Sequence, residues 1–338
     1  MKVVIVGGVA GGAGCAARLR RLDENAEIIM LERGEYISYA NCGLPYYVGG
    51  VITDKKALQV QTVAGFRSRF RVDVRTESEV ISVDTQKKTV QVRHGGETYE
   101  ESYDKLVLSP GASPVKPPIP GMEENHVFTL RNIPDTYAIY DFIEENKPKT
   151  CVVVGAGFIG LEMAENLSER GLAVTVVEGA SHVMPPIDMD MAHQVHNYIR
   201  AKGLNLYLGQ TCTAMDKDGV ILGNGQKIPA DMVLLSIGVR PDTAFLKDSG
   251  IEMGARGEIL VNEYMETSAA DVYALGDAVS TFHVVSGAKV VIPLASPANK
   301  QGRIVGDNLS GRRTAYKGSQ GTSIMKFFDM TVAVTGEK

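Results

Sequence analysis

The chain has 338 residues, 44% of them hydrophobic and 22% charged, with a net charge of −5 at neutral pH. That composition supplies two or three globular domains with sizeable cores. The acidic balance excludes broad nucleic-acid or membrane-surface binding, both of which need a cationic face. Four cysteines (Cys15, Cys42, Cys151, Cys212) without a CxxC pair fit a reducing compartment, and no apolar run approaches membrane-spanning length. With a buried-strand pattern at the first residues in place of a leader, a cytoplasmic location is expected.

Val3–Val6 reads as a short all-apolar strand, followed by Gly7-Gly8-Val9-Ala10-Gly11-Gly12 and a helical run from Ala13 to Leu22. Residues without bulk at such a turn let backbone N–H groups and the positive helix N-terminus approach a pyrophosphate. A second strand, Glu27–Leu31, ends at Glu32, where a carboxylate accepts ribose hydroxyls. Val9 stands where a middle glycine is usual. The run Ser38-Tyr39-Ala40-Asn41-Cys42-Gly43-Leu44-Pro45-Tyr46-Tyr47 follows, with Gly43 and Pro45 suited to a helix start. Val63, Phe66 and Phe70 have helical spacing and are expected to face core. Val80, in the strand Glu79–Val83, reads as ordinary core on pattern alone. Leu106–Leu108 is a strand running into the tight turn Ser109-Pro110-Gly111-Ala112, and Pro114, Pro117, Pro118 and Pro120 mark a crossing between domains.

The pattern then repeats. Cys151–Val154 leads into Gly155-Ala156-Gly157-Phe158-Ile159-Gly160, a helix from Leu161 to Arg170, and a strand Ala173–Val177 ending at Glu178. Two such units, each with strand, glycine turn, helix and terminal acid, predict an enzyme that binds two nucleotides. Glu178 would repel a 2′-phosphate and no arginine follows it, so NADH is expected over NADPH. His193 and His196, on a probable helix Asp190–Ala201, have no visible third ligand and read as plain helix surface, so no metal is expected. Met232–Gly238 repeats the strand-and-turn pattern of 106–112. Asp271–Ala278 adds a strand ending in Gly276 and Asp277, whose carboxylate suits the hydroxyls of a flavin's ribityl chain.

The predicted architecture is α/β, with two Rossmann-like nucleotide-binding domains, one for FAD and one for NAD, the second inserted in the first. The boundaries are 1–112 and 242–317 for the FAD domain and 113–241 for the NAD domain. Cys42 lies between the two fingerprints, where a thiol can exchange electrons with bound flavin. Tyr47 stands five residues on, so no short-loop disulfide forms and the sulfur partner must be external. Such a site needs a lowered thiol pKa, which flavin and a helix N-terminus after Cys42 would supply. The bland alternative is an inert, buried small hydrophobe, the role read for Cys15, Cys151 and Cys212.

The paired fingerprints, the Cys42 segment, Ser109–Ala112, Leu130-Arg131-Asn132-Ile133-Pro134, Tyr273–Ala278 and Ile292-Pro293-Leu294-Ala295 together resemble the single-cysteine flavin disulfide reductases. Within that superfamily the chain is most similar to coenzyme A disulfide reductases and NADH-dependent persulfide reductases. The resemblance implies FAD held by Gly8, Val9, Ala10, Gly11, Glu32, Arg33, Asn41, Val80, Pro110, Gly111, Arg131, Gly276 and Asp277, with Pro293, Leu294 and Ala295 near the isoalloxazine. It implies NADH on Gly155, Gly157, Phe158, Ile159, Gly160, Glu178 and Gly238, Phe158 acting as an aromatic gate. Arg18, Arg21, Ser38 and Asn41 carry over as coenzyme A contacts, although the two arginines, with Arg20 nearby, read on pattern alone as a solvated helix face. Relatives place another basic contact where Phe70 stands, with Arg69 and Arg71 as substitutes. The resemblance also implies an interface domain following Lys326–Asp329, with 318–338 as the start of a truncated dimerisation domain, so the chain reads as a fragment whose full-length form is a homodimer.

The leading expectation is therefore an NADH-dependent reductase of coenzyme A disulfide, coenzyme A persulfide or polysulfide, catalysed through Cys42. The alternatives are an NADH oxidase or peroxidase cycling through a Cys42 sulfenic acid, and a non-catalytic flavin redox sensor.

Overall fold

The computed structural model describes residues 1–336; the last two residues of the expected 318–338 segment lie outside the described residues. Two compact units divide the chain. The first comprises Met1–Tyr39, Gln59–Ser113 and Arg240–Gly321, the second Ala40–Leu58, Pro114–Val239 and the chain from Thr322 onward.

In the first unit an all-parallel sheet has the strand order Val272–Ala274, Lys105–Leu108, Lys2–Val6, Glu27–Leu31, Asp73–Arg75. Near-continuous apolar runs build it because both faces are covered, and Val3, Val4 and Ile5 are wholly buried. The helices Ala10–Leu22 and Ala295–Leu309 pack against each other through glycine, for a Cβ at Gly302 would lie 2.5 Å from the Gly11 carbonyl oxygen. Arg20 is not a surface residue of the first helix. It is buried, and its guanidinium donates to the carbonyl oxygens of Phe70 (2.8 Å), Glu24 (2.8 Å) and Arg71 (2.9 Å), tying that helix to the end of the helix Val63–Phe70. Phe66 and Phe70 face core as their spacing predicts.

The second unit has the same plan, with the parallel order Asn205–Leu208, Ala173–Glu178, Thr150–Val154, Met232–Leu235, Val127–Thr129. In each unit the fingerprint strand is central, its neighbours being the strand that ends in the acid and the strand that ends in a tight turn. His196 departs from the expected helix surface. It is buried on Met189–Ala201, where its Nε2 accepts the Val183 N–H at 3.2 Å, because its side of the helix packs inward. Among the described residues no helix is long and apolar enough to cross a membrane.

Both fingerprint helices begin three residues before the expected starts, at Ala10 and Phe158 instead of Ala13 and Leu161. The last glycine of each motif is thus already helical. Its lack of a side chain is a packing requirement, since a Cβ would lie 1.9 Å from the Gly7 oxygen at Gly12 and 2.0 Å from the Gly155 oxygen at Gly160. Gly157 differs, with φ −77° and no atom within 4 Å of an added Cβ. Gly160→Ala is therefore expected to lose about 1–3 kcal/mol through overpacking, whereas Gly157→Ala keeps its stability. Urea unfolding of the two variants checks this, and equal stabilities would contradict it.

Candidate functional site

The two glycine turns are built alike. Gly7 and Gly155 have φ of +96° and +103°, a conformation that strains any L side chain, and a Cβ there would lie 2.0 Å from the Ser109 oxygen and 2.3 Å from the Ser236 oxygen respectively. Their N–H groups donate to Leu31 O (2.8 Å) and Val177 O (2.7 Å), so each turn leaves its strand in a fixed direction. The acids then fasten the turns. Glu32 accepts the N–H groups of Gly8 (2.8 Å) and Gly34 (2.9 Å), and Glu178 accepts those of Ala156 (2.7 Å) and Ala180 (2.8 Å). Burial pushes the Glu32 carboxyl up from its ordinary pKa, against the downward pull of those N–H groups and of Arg33. At the middle position both Val9 (φ −91°) and Gly157 keep negative φ, so the backbone itself tolerates valine there.

In the first unit a cleft of about 350 Å³ opens beside the turn, lined by Gly7, Glu32, Arg33, Val80, Pro110 and Asp242 among others. Four of these are expected FAD contacts. An apolar wall at Val80, the half-buried Glu32 carboxylate and a glycine turn without side chains suit the adenosine half of a dinucleotide, so the residues present fit the cofactor. Arg33 is ion-paired with Asp242, which also accepts a hydrogen bond from Ser113 Oγ at 2.9 Å. Asp242 was not singled out by sequence, since nothing in its surroundings, Pro241-Asp242-Thr243, forms a motif. Gly11 admits no side chain, because a Cβ would lie 2.2 Å from Leu275 Cδ1, and Gly111 takes φ +74° in its turn. Gly276 (φ +84°) donates its N–H to the buried Gln301 at 2.7 Å and opens the short turn that carries Asp277. Leu294 and Ala295 begin the helix Ala295–Leu309, and Pro293 precedes them, exposed.

Of the expected NADH residues, the second unit holds the Gly155–Gly160 turn, with Phe158 and Ile159 in the first turn of its helix, as well as Glu178 and Gly238 (φ +111°). Arg131 also falls in this unit, its N–H donating to Asp135 Oδ2 at 2.9 Å.

The expected coenzyme A arginines engage different neighbours. Arg18 is bound to Asp307 through Nε (2.8 Å) and Nη2 (2.6 Å), while Arg21 lies over the Phe70 ring at 5.6 Å. Arg69 also lies over that ring, at 5.4 Å, so the structure brings Arg21 and Arg69 together around Phe70. Arg20 is withdrawn from any phosphate grip by its bonds to backbone carbonyls. Ser38 has φ +44° and donates its N–H to Gly8 O at 2.9 Å.

Cys42 lies in the second unit, in the single 3₁₀ turn Asn41–Gly43 that precedes the helix Leu44–Val48. It is exposed, whereas Cys15 and Cys151 are buried and Cys212 is half-buried. Tyr47, at the place of the absent second cysteine, is buried with its ring centroid 5.5 Å from that of Tyr137 and 5.2 Å from that of Tyr140. The segment docks on the helix Phe158–Glu169 and its cap. Arg170 Nη1 donates to Val48 O at 2.9 Å, and a Cβ on Gly49 would lie 2.0 Å from Asn166 Oδ1. Of the two expected sources of a lowered thiol pKa, flavin and a helix N-terminus, the chain supplies only the second, and its other groups oppose it. Partial desolvation by the surrounding chain, then the Glu162 carboxylate, push the Cys42 thiol up. A helix of five residues offers too little aligned dipole to offset them.

Glu162 is a residue the sequence reading missed. Its carboxyl is pushed up to about 7, first by burial and then by Glu165. The available signal was two glutamates three apart within the otherwise apolar helical stretch 158–165, where the pattern puts them toward packed neighbours. Among the described residues no three His, Cys, Asp or Glu side chains are grouped to hold a metal ion.

Comparison with known proteins agrees with this construction. The family model described as pyridine nucleotide-disulphide oxidoreductase matches residues 1–302. A coenzyme A disulfide reductase of Staphylococcus aureus is 37% identical over 340 aligned residues, covering the whole chain and 77% of that protein. Among solved structures, reduced Bacillus anthracis CoADR-RHD is 50% identical with a TM-score of 0.98, and a NAD-dependent persulfide reductase from A. fulgidus is 39% identical with a TM-score of 0.97. This chain is covered completely in both cases but spans only 62% and 64% of those two chains. With the fingerprints, the sheets and the match over most of its length in agreement, the chain belongs to the pyridine nucleotide-disulphide oxidoreductase family.

Proposed function

We propose that this protein is an NADH-dependent flavoprotein that reduces coenzyme A disulfide, coenzyme A persulfide or polysulfide, and that Cys42 is its reacting sulfur. The carrying observation is a lone exposed thiol whose would-be partner position is filled by the buried ring of Tyr47. In a family named for disulfide chemistry, such a thiol must take its partner from the substrate. The relatives named for coenzyme A disulfide and persulfide support that choice.

The domain reading assigns 1–112 and 242–317 to FAD and 113–241 to NADH. The Gly7–Gly12 turn and Glu32 hold the FAD adenosine, the Gly155–Gly160 turn and Glu178 that of NADH, and Arg18 and Arg21 the coenzyme A phosphates. When bound in the first unit, FAD would supply a two-electron relay between NADH and the sulfur held at Cys42. The Cys42 thiolate attacks one sulfur of the substrate, forming a mixed disulfide and expelling the other sulfur as a thiolate. Arrival of two electrons then breaks the mixed disulfide, frees the second thiol product and restores the Cys42 thiolate. Exposure of the thiol admits a substrate as large as coenzyme A, and Tyr47 prevents an internal disulfide from competing. The same reading makes the full-length protein a cytoplasmic homodimer.

In the FAD-loaded full-length protein, Cys42→Ser is expected to keep the flavin absorbance and lose at least about 100-fold in NADH-dependent reduction of coenzyme A disulfide. Rapid turnover of peroxide or oxygen without any thiol substrate would favour the oxidase reading instead. The Glu178 carboxylate opposes a 2′-phosphate, so kcat/KM is expected to favour NADH over NADPH by at least about tenfold. Steady-state rates with the two nucleotides measure this, and equal values would contradict it.

A further inference from the structure

The carboxylate of Asp307, in the last turn of the helix Ala295–Leu309, gathers two guanidinium groups from different stretches of the first unit. Its Oδ1 alone accepts from Arg18 Nε at 2.8 Å and Nη2 at 2.6 Å, and Arg312 Nη1 stands 3.7 Å from the same oxygen. Arg18 reaches it by lying close against that helix. Gly306 makes the room, since a Cβ there would lie 2.8 Å from Arg18 Cγ. Arg312 is brought to the same place by a fixed turn. Gly311 takes φ +90°, the Arg312 N–H donates to Asp307 O at 3.1 Å, and the Asn308 side chain clasps Thr314, accepting its N–H at 2.7 Å and donating to its carbonyl at 3.0 Å. The following residue, Arg313, turns elsewhere, over the Tyr264 ring at 4.0 Å.

A tie between two helices does not account for both arginines. Arg18 and Asp307 already join the helices Ala10–Leu22 and Ala295–Leu309, which also meet through Gly11 and Gly302, and an exposed ion pair as long as that of Arg312 adds little to stability. The Arg312 side chain is 57% exposed, and 3.7 Å is too long for a hydrogen bond to the carboxylate. The cluster therefore keeps one positive charge in excess. Its donors are unequally used as well. The Nε edge of Arg18 is taken by Asp307, whereas among the described residues Arg18 Nη1 and the whole guanidinium of Arg312 have no hydrogen-bonded acceptor. Held beside one carboxylate whose own side chain is only 14% exposed, the two forks can close on one tetrahedral anion, each giving paired N–H bonds to phosphate oxygens.

We propose that Arg312 is a substrate-binding residue, joining Arg18 in gripping one phosphate of a coenzyme A derivative from its place beside their shared carboxylate. The inference rests on the reductase reading above, in which Arg18 meets those phosphates, and it narrows the choice of substrate. A grip of this kind discriminates by phosphate. Coenzyme A disulfide and coenzyme A persulfide present a diphosphate and a 3′-phosphate to it, whereas polysulfide presents sulfur alone, so coenzyme A derivatives are the preferred class.

The test uses the FAD-loaded full-length protein and the variants Arg312→Ala and Arg312→Lys. Calorimetric titration with coenzyme A reads the grip without turnover, so it separates this inference from the reductase reading. Arg312→Ala is expected to weaken binding about tenfold, and Arg312→Lys, which keeps the charge but loses the fork, about threefold. In steady state Arg312→Ala should raise KM for coenzyme A disulfide by a similar factor with little change in kcat. Pantethine, the disulfide of the same thiol arm without nucleotide or phosphate, should show no such rise in KM. Unchanged coenzyme A binding in Arg312→Ala overturns the proposal. Equal losses on coenzyme A disulfide and on pantethine mark a merely structural role and also overturn it. Failure of wild type to reduce either disulfide, with the Arg312-dependent binding of coenzyme A intact, sinks the reductase reading alone.

Discussion

A carboxylate at the end of the second strand, bonded to the N–H groups of the glycine turn and of its own following loop, sets the nucleotide-facing geometry of each unit. Glu32 and Glu178 do this with nearly identical distances on two unrelated stretches of sequence. The arrangement lets a carboxylate remain partly buried, because two backbone donors replace the water it loses. It also ties the turn's direction to the strand end, so that the helix can begin inside the motif. Positive φ at Gly7 and Gly155, the close approach at Gly12 and Gly160, and the wall formed by the Ser109 and Ser236 turns all depend on that alignment.

The thiol is governed by a different balance. A reactive cysteine commonly owes its thiolate to a cation or to an aligned helix dipole. Around Cys42 the helix is five residues long, the charged neighbour is a glutamate, and Arg170 is bound elsewhere. Tyr47 contributes in another way, since its packing on Tyr137 and Tyr140 fixes the segment and closes the position from which a second sulfur would act.

Much of the fold was legible along the chain. Apolar strands buried on both faces, glycine turns and terminal acids declare themselves within windows of about thirty residues, and the strands 2–6, 27–31, 150–154 and 173–178 lie where the pattern put them. Helix starts were misplaced because glycine has poor helix propensity, while the packing that admits Gly11, Gly12 and Gly160 to a helix comes from distant residues. Arg20 and His196 read as surface because a polar side chain gives no sign of the buried carbonyls or N–H group awaiting it. The effect of the Glu162 charge on Cys42 could not be read along the chain, because only the docking of Leu44–Val48 on Phe158–Glu169 brings the two into electrostatic range. The Phe70 ring between Arg21 and Arg69 was invisible for the same reason.

Electron counting tests the central claim most directly. FAD-loaded full-length protein, treated with coenzyme A disulfide and freed of excess, is titrated anaerobically with NADH while the flavin absorbance is followed. The account predicts two hydride equivalents per flavin for complete reduction, one consumed at the Cys42 mixed disulfide and one at the flavin, with release of one coenzyme A thiol and only one equivalent consumed by Cys42→Ser. Uptake of a single equivalent by both proteins, with no thiol released, would contradict it.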